Sequence, residues 1–401
     1  MKIENAYIKN NRLLIHPFNV TSEHKPYFRT NKLYLGFDTK IGNIDQSILN
    51  IPLVSSIITY FWMMNKPLEV PVLDEEYVKN LEKLQKFFSD TFDRDFSSEL
   101  IVKKTVTNTP TSDDSLLFFS GGLDSTYSLY DNLDKHPRML MICGYDMYMH
   151  KGDTLEIREK WSKTYREFAK SIGERITFAY TNTRWLLKED TVHKNSKNRI
   201  SLTTYWAYLR HGICLPGLAA PLSDRFGTMI TSANGKVEWD TITKENPFGT
   251  GANISHLLGY SGIPNFCHGA VDRVTKASEI SEWLNSGKTT LRVCYKPTIQ
   301  LNCMNCKKCL RALAALTAVG VDTEKCGLPP SNESWQTLKN MYLNHKMNPR
   351  RVNIHDKATQ KYIETHPIKL PEESLVFYDW FMSKDLDEYI EEYYSIKHLN
   401  A

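Results

Sequence analysis

The sequence predicts an α/β protein built on a doubly wound, mainly parallel sheet. At Ser115–Tyr130 a short apolar run ends in a glycine turn and continues into a helical pattern. Beyond it, short apolar runs alternate with longer helical patterns, which is the order of elements that builds a parallel sheet. Residues 109–328 are therefore expected to form the sheet domain. A small α+β unit is expected before it, at 1–108, and a helical extension after it, at 329–401.

The glycine turn is the strongest local signal in the chain. Leu116–Phe119 form a continuous apolar run, typical of a strand buried on both faces, and the Ser-Gly-Gly turn at 120–122 stops it abruptly. Glycines there permit positive φ and close backbone approach. Leu129 and Leu133 then recur at helical spacing, so a helix begins just after the turn. Because the first amide groups of a helix lack intrahelical partners, the turn is predicted to bind an anion.

The alternating pattern after the turn predicts the remaining strands of the sheet. Strands are expected at Met139–Cys143, Ile176–Tyr180 and Thr228–Thr231, with helices at Leu155–Ile172 and Trp206–Leu222 between them. Ligands of such sheets bind beyond the carboxyl ends of the strands. The residues at these ends are candidates: Cys143, Asn182 and Arg184 for a nucleotide, and Tyr145, Asp146, Ser232 and Asn234 for a second substrate.

Periodicity also organises the flanking regions. The predicted elements are strands at Arg12–Ile15 and Lys32–Phe37, a buried helix at Ile51–Met64, an amphipathic helix at Glu75–Phe92, a helix at Lys276–Leu284 capped by Thr275, and helices at Trp335–Asn344 and Leu386–His398. Asn108–Asp114 is interpreted as a linker. The run from Trp239 to His268, rich in glycine, asparagine and proline, is expected to be a functional loop or lid.

Composition narrows the classes of protein to which the chain can belong. Its 401 residues carry a formal net charge of +4 without a polybasic block, so nucleic acid is not indicated as a partner. The first residues lack the apolar core of a signal peptide, and no run approaches the roughly 18 apolar residues of a membrane span. We therefore expect a cytoplasmic protein with no membrane partner.

Four of the eight cysteines crowd into one short segment. Cys294, Cys303, Cys306 and Cys309 include two overlapping Cys-x-x-Cys units, which can direct thiolates at one ion, with Cys294 completing a tetrahedron. Four thiolates leave no open coordination position, so the expected metal is structural Zn²⁺ in a zinc knuckle. An iron–sulfur cluster remains the alternative, because the ligand type alone does not separate the two.

The string Ser-Gly-Gly-Leu-Asp-Ser at 120–125, between strand and helix, resembles the PP-loop of the N-type ATP pyrophosphatases, whose fold is of the adenine nucleotide alpha hydrolase type. That resemblance implies ATP cleavage between the α and β phosphates, with Mg²⁺ near Asp124 and with Ser120, Asp124 and Ser125 as the catalytic residues. The residues implied to bind ATP are Phe119, Ser120, Gly121, Gly122, Leu123, Asp124, Ser125 and Thr126.

Within that superfamily, residues 115–318 resemble the 7-cyano-7-deazaguanine synthase family in the order of motifs. Thr275, Lys276 and Glu279 approximate its Thr-Lys-Ala-Glu stretch, and Cys294-Tyr295 its Ser-Cys-Tyr, before the shared Cys-x-x-Cys-x-x-Cys. The resemblance implies four cysteine ligands to zinc and makes Lys276 a substrate candidate. The family's Asp-Tyr-Gly-Gln is here Gly-Tyr-Asp-Met at 144–147, and its Cys-Arg-Pro-Glu loop is missing. The chain therefore resembles a divergent paralogue.

The expected function is adenylation of a substrate carboxylate, similar to 7-carboxy-7-deazaguanine, with release of pyrophosphate and transfer to a nitrogen nucleophile. ATP, Mg²⁺ and Zn²⁺ are the expected cofactors. The extra regions leave room for a macromolecular amine as the acceptor, and the oligomeric state is left open. Two alternatives remain: a tRNA-modifying thiolase with an iron–sulfur cluster, and a non-catalytic ATP-binding module that serves a partner protein.

Overall fold

A central sheet of eight strands organises the chain in the computed structural model, which describes residues 1–146, 155–196, 198, 205–236, 241–244, 251–294, 296 and 298–399. Its strands are β1 (Tyr7–Lys9), β2 (Leu13–Pro17), β3 (Lys32–Phe37), β8 (Ser115–Phe118), β9 (Arg138–Cys143), β10 (Ile176–Thr181), β11 (Thr228–Ser232) and β12 (Asn265–His268). The order across the sheet is β1-β2-β3-β10-β9-β8-β11-β12. Two small parallel ladders lie apart from it, formed by β4 (Leu68–Val70) with β6 (Leu100–Val102), and by β5 (Leu73–Asp74) with β7 (Thr105–Val106).

The central sheet is mainly parallel. The five strands from β8 onwards pair in parallel with one another. The three N-terminal strands continue the sheet in antiparallel pairing, with β3 against β10. These findings confirm the predicted α/β class and the mainly parallel sheet.

Both faces of the parallel strands are covered, which explains their continuous apolar sequence. Along β8 and β9, Leu116 and Leu140 pack into one apolar cluster, whereas Leu117 and Met139 pack into another on the opposite face. The first cluster contains the buried helix Ile51–Met64, and the second contains the helix that follows β9. The sheet is thus the middle layer between two apolar layers.

The remaining regular structure is mainly helical. They are α1 (Gln46–Leu49), α2 (Ile51–Met64), α3 (Glu75–Phe92), α4 (Leu123–Tyr130), α5 (Leu155–Ser171), α6 (Glu189–Asn195), α7 (His211–Ala219), α8 (Arg273–Glu279), α9 (Ser281–Asn285), α10 (Lys307–Thr317), α11 (Asn332–Leu343), α12 (Pro349–Arg351), α13 (Lys357–Thr365), α14 (Leu375–Met382) and α15 (Leu386–Leu399). None of the described helices combines the length and the apolar character needed to cross a membrane.

The predicted bounds of α2 and α3 are confirmed, whereas three other local predictions are wrong. The helix expected at Trp206–Leu222 divides into a π-turn at Trp206–Arg210, α7 and a 3₁₀ segment at Ala220–Arg225, and Pro221, which has no amide hydrogen, lies at the start of that 3₁₀ segment. Helix α8 begins earlier than expected, and its cap is Asp272, whose carboxylate accepts from the amide of Thr275 at 2.9 Å. The loop expected up to His268 ends in strand β12. Trp239, Asp240 and residues 245–250 of that loop lie outside the described residues.

The two flanking regions contact the middle of the chain extensively. Strands β1–β3 belong to the central sheet, and α2 shares an apolar cluster with β8 and β9. At the other end, Leu310 and Leu313 of α10 share a cluster with Trp335 and Phe377 of the extension. The predicted division at residues 108 and 328 stays a prediction.

Candidate functional site

The glycine turn leads from β8 into α4 at the carboxyl edge of the sheet. Gly121 has φ +74° and Gly122 is the N-terminal cap of α4. A side chain at 121 is excluded, since a Cβ atom there would lie 2.1 Å from Oη of Tyr165 on α5. The backbone carbonyl of Gly121 accepts from the amide of Arg292 at 2.7 Å. Helix α5 and the segment before the cysteines therefore both contact this turn.

Several backbone amides at the start of α4 have no partner within the helix. The first helical bond runs from the amide of Thr126 to the carbonyl of Gly122, at 2.9 Å. The amides of Leu123, Asp124 and Ser125 precede it, at the positive end of the helix dipole. The hydroxyl of Ser125 accepts from the amide of Ser120 at 3.2 Å and lies 3.1 Å from the Ser120 hydroxyl, which is exposed. This geometry can bind an oxyanion.

Asp124 is paired with two cations from helix α8. Nη2 of Arg273 donates to Oδ2 at 2.7 Å, and Nζ of Lys276 donates to Oδ1 at 3.0 Å. Lys276 is fully buried and also donates to the carbonyl of Ala233, just beyond β11, at 2.6 Å. Glu279, one turn further along α8, accepts from the hydroxyl of Tyr127 at 2.7 Å. Helix α8 thus joins the turn after β8 to the end of β11.

Burial opposes the ionisation of Asp124, but the charges of Arg273 and Lys276 outweigh it and hold the pKa of this carboxyl well below its ordinary value. The carboxylate is therefore an anion with both oxygens engaged. A Mg²⁺ ion bound to this carboxylate would lie beside the charges of Arg273 and Lys276, which oppose the expected role of a Mg²⁺ ligand.

The end of β9 has a different polar arrangement. Cys143 is buried at the last position of the strand. Tyr145 is buried between the rings of Trp206 and His211 and donates to the carbonyl of His211. Oδ2 of Asp146 lies 2.9 Å from Nε2 of His211, and Oδ1 accepts from Nε1 of Trp206 at 3.3 Å. Its side chain is 51% exposed. Asp146 is therefore the accessible acid at this strand end, whereas Tyr145 is part of the packing.

The other candidates at strand ends have mixed surroundings. The side-chain amide of Asn182 makes two hydrogen bonds with strand β3: its oxygen accepts from the amide of Tyr34 at 2.8 Å, and its nitrogen donates to the carbonyl of Lys32 at 3.0 Å. Nucleotide binding by this side chain would have to break these bonds. The guanidinium carbon of Arg184 lies over the ring of Trp206, 4.2 Å from the ring centre. The Oγ atom of Ser232 is buried without a hydrogen-bond partner among the described residues, and Asn234 is half-buried.

The four predicted cysteines come together in space. Their sulfur atoms lie within 4.8 Å of one another, a group that could hold a metal such as zinc. The Cys294–Cys306 and Cys303–Cys309 separations are both 4.0 Å, and the Cys306–Cys309 separation is 3.4 Å. Four thiolates around one Zn²⁺, each about 2.3 Å from the ion, would lie about 3.8 Å apart. The donor set and its spacing therefore fit a single tetrahedral ion.

The surrounding backbone is arranged for thiolates. Sγ of Cys306 caps α10 by accepting from the amide of Cys309 at 3.5 Å. Hydrogen bonding from Cys306, and then from Cys309, lowers the pKa of the Cys294 thiol. Asn302 fixes the segment before Cys294 by accepting from the amide of Val293 at 2.9 Å and donating to the carbonyl of Leu291 at 2.7 Å. Tyr295 lies outside the described residues.

Three basic residues of this region were not predicted from the sequence. Arg273 precedes Lys276 by three positions, so helical spacing could have indicated that both face one partner. His211 lies 65 positions from Asp146 in the chain, so only the fold brings the two residues together. Arg292, two residues before Cys294, carries no sequence signal, because its position depends on the contact with Gly121.

Comparisons of the chain with protein-family models, with curated proteins and with solved structures found no match.

Proposed function

We propose that the chain is an AMP-forming ATP pyrophosphatase of the PP-loop type. It adenylates the carboxylate of a substrate similar to 7-carboxy-7-deazaguanine and passes the acyl group to a nitrogen nucleophile. The acceptor is ammonia or the amine of a macromolecule. The observation that carries the proposal is the site around residues 120–126, where a glycine turn, a free helix N-terminus and two cations of α8 meet at one edge of the sheet.

The strand order supports a nucleotide site at this place. From β8 the chain adds β9 and β10 on one side, and then β11 and β12 on the other. In a doubly wound sheet, ligands bind in the crevice where the order reverses, which here is between β8 and β11. The glycine turn follows β8, Ser232 ends β11, and Lys276 bonds to the segments after both strands. The proposed fold and the proposed site therefore agree.

In the proposed reaction the residues of the turn position phosphates instead of forming covalent bonds with them. A carboxylate oxygen attacks the α-phosphorus, the bond to the bridging oxygen breaks, and pyrophosphate leaves. The amides of Leu123–Ser125 and the hydroxyls of Ser120 and Ser125 would stabilise the charge on the phosphates. A nitrogen nucleophile then attacks the acyl carbon and AMP leaves. Mg²⁺ enters this proposal only as a counter-ion of ATP, with no ligand residue assigned.

The cysteine cluster supports a structural zinc knuckle within the same proposal. In a four-iron cluster each thiolate binds its own iron, so the sulfurs lie further apart than they do around a single ion. Separations of 3.4 to 4.0 Å favour the single ion. A structural ion has no step in the reaction, and its effect would be to hold the Arg292 segment against Gly121.

Incubation with ATP, ammonium and 7-carboxy-7-deazaguanine, followed by mass spectrometry of all products, tests the function. We expect AMP, pyrophosphate and one of two products: the carboxamide of the acid, which becomes the nitrile only if a second ATP activates its oxygen for loss of water, or an adenylate that awaits another amine. AMP formation with a different acid would keep the activity and reject the substrate. ADP and phosphate, or ATP binding with no turnover on any acid, would contradict the proposal, and the latter result would favour the binding module.

A further inference from the structure

A buried arginine next to the glycine turn has unsatisfied nitrogen atoms. Arg292 is only 5% exposed, and its backbone amide donates to the carbonyl of Gly121 at 2.7 Å. Among the described residues, Nε and Nη2 of its guanidinium are buried without any hydrogen-bond partner. An isolated buried charge is strongly unfavourable. These buried donors carry the charge and the geometry that suit an anion.

The arginine is held in a fixed position. Its guanidinium lies over the ring of Trp161, 3.9 Å from the ring centre, and Trp161 itself donates to the carbonyl of Thr298 at 3.1 Å. Stacking covers a face of the guanidinium, whereas its N–H groups lie in the plane of the group and point away from the ring. The stack therefore orients the donors and leaves them unused.

Helix α5 relates this guanidinium to the phosphate site. Trp161 and Tyr165 are four residues apart on α5 and so share one face, about one helical turn from each other. Tyr165 contacts the turn at Gly121, and Trp161 contacts the guanidinium. The guanidinium of Arg292 and the glycine turn therefore both lie against this face of α5.

The thiolates are the competing partner, because Cys294 lies only two residues from Arg292 in the chain. Neither Nε nor Nη2, however, is hydrogen-bonded to a cysteine sulfur, although Sγ of Cys294 accepts from the amide of Lys296 at 3.3 Å. The planar fork of a guanidinium also matches a phosphate or a carboxylate, which it can bind through two parallel bonds.

We propose that the guanidinium of Arg292 binds an oxyanion in this site, either a phosphate of ATP or the carboxylate of the activated acid. The inference rests on the proposed function for the identity of these two ligands. Its chemistry, an oxyanion bound by Nε and Nη2, does not depend on turnover. Arg292 is thus assigned as a substrate-binding residue that the sequence motif does not contain.

The test compares Arg292→Met and Arg292→Lys with Arg138→Met in the full chain. Arg138 lies at the opposite end of β9, where its Nε donates to Asp114 at 2.8 Å, so it serves as a matched arginine outside the site. Calorimetric titrations use ATP, inorganic pyrophosphate and 7-carboxy-7-deazaguanine separately, and zinc content and the unfolding midpoint are measured in parallel.

We expect Arg292→Met to weaken the binding of at least one ligand tenfold or more, Arg292→Lys to weaken it less, and Arg138→Met to leave all affinities unchanged. Weaker binding of ATP and pyrophosphate identifies a phosphate as the bound group, and weaker binding of the acid alone identifies a carboxylate. Arg292→Met should keep its zinc and its unfolding midpoint, because it removes a charge without leaving a partner unpaired.

Unchanged affinities in Arg292→Met overturn the inference, and so does loss of zinc with affinities intact, which would assign the charge to the thiolates. Failure of the wild-type chain to bind any of the three ligands would overturn both proposals. Pyrophosphate binding that depends on Arg292, without AMP formation on any acid, would support the inference and reject the proposed function.

Discussion

At the scale of single residues, Gly121 is a position where both the backbone angle and the surrounding atoms require glycine. Its φ of +74° is disfavoured for other residues, and a Cβ atom would overlap the hydroxyl of Tyr165. Gly173 provides a matched comparison, because it has φ +76° but no atom within 4 Å of a built Cβ. Alanine variants at the two positions therefore separate the energetic cost of backbone strain from that of steric overlap.

We predict that Gly121→Ala destabilises the fold by about 3 kcal/mol, the sum of a left-handed backbone and an overpacked contact. Gly173→Ala should cost about 1 kcal/mol, from the backbone alone. Urea unfolding of both variants measures the difference. Equal costs would mean that Tyr165 moves aside freely, and that α5 does not hold the turn.

Asp124 carries a second prediction, based on its pairing with Arg273 and Lys276. Removing one partner of a buried ion pair leaves the other charge uncompensated, so Asp124→Asn should lower the free energy of unfolding by about 3 kcal/mol. Adding Lys276→Met should recover part of that loss. Urea unfolding of the single and double variants measures this coupling. A fully stable Asp124→Asn would contradict the pairing.

Local sequence was sufficient for the turn but not for its partners. Ser120–Ser125 are contiguous, so their strand, glycine and helix signals reinforce each other in one short window. The pairing of Asp124 with Arg273 joins residues far apart in the chain, and neither side chain alone indicates it. The cysteines could be predicted because their spacing repeats a ligand pattern. Their proximity to the glycine turn could not be predicted, because it depends on the contact between Arg292 and Gly121.

At the scale of elements, the cysteine cluster lies where helix α10 begins. Cys306 caps α10, and Asn302 holds residues 291–294 in place. Strand β12 shows the limit of pattern recognition at this scale. Its four residues lie in a glycine-rich run and show no alternation of polar and apolar side chains, so only the partner strand β11 defines it.

We predict that removal of the metal loosens residues 290–315 before the rest of the chain, because ligand binding and local folding are linked. Hydrogen exchange with and without a chelator should show faster exchange in α10 and in the Asn302 segment. Helix α3, which contributes to a different apolar cluster, is the internal control. Exchange that is unchanged in α10 after complete metal loss would reject a structural role for the cluster.

At the scale of the whole molecule, the N-terminal strands and the parallel strands form one sheet. Strand β3 pairs with β10, and Leu116 and Phe118 of β8 share an apolar cluster with α2. The antiparallel extension could not be predicted from the sequence, because periodicity identifies a strand but not its neighbour. Residues 1–108 therefore protect the edge of β10 as well as one face of the sheet.

We predict that residues 109–328 alone do not form a stable domain. Such a fragment would expose the edge of β10 and the apolar face that α2 covers, both of which promote aggregation. The fragment should bind a hydrophobic dye and lack a cooperative unfolding transition, whereas the full chain should unfold cooperatively. A fragment that unfolds cooperatively, near the midpoint of the full chain, would support autonomy of the predicted central domain.

The fate of the carboxylate oxygen tests adenylation at the glycine turn most directly. If a carboxylate attacks the α-phosphorus of ATP at the glycine turn, then acid labelled with ¹⁸O in its carboxylate must transfer one labelled oxygen to AMP when the nitrogen nucleophile displaces it. We predict AMP that carries a single ¹⁸O atom, detected by mass spectrometry, together with unlabelled pyrophosphate. AMP without the label, or ADP as the nucleotide product, would contradict adenylation of a carboxylate by this protein.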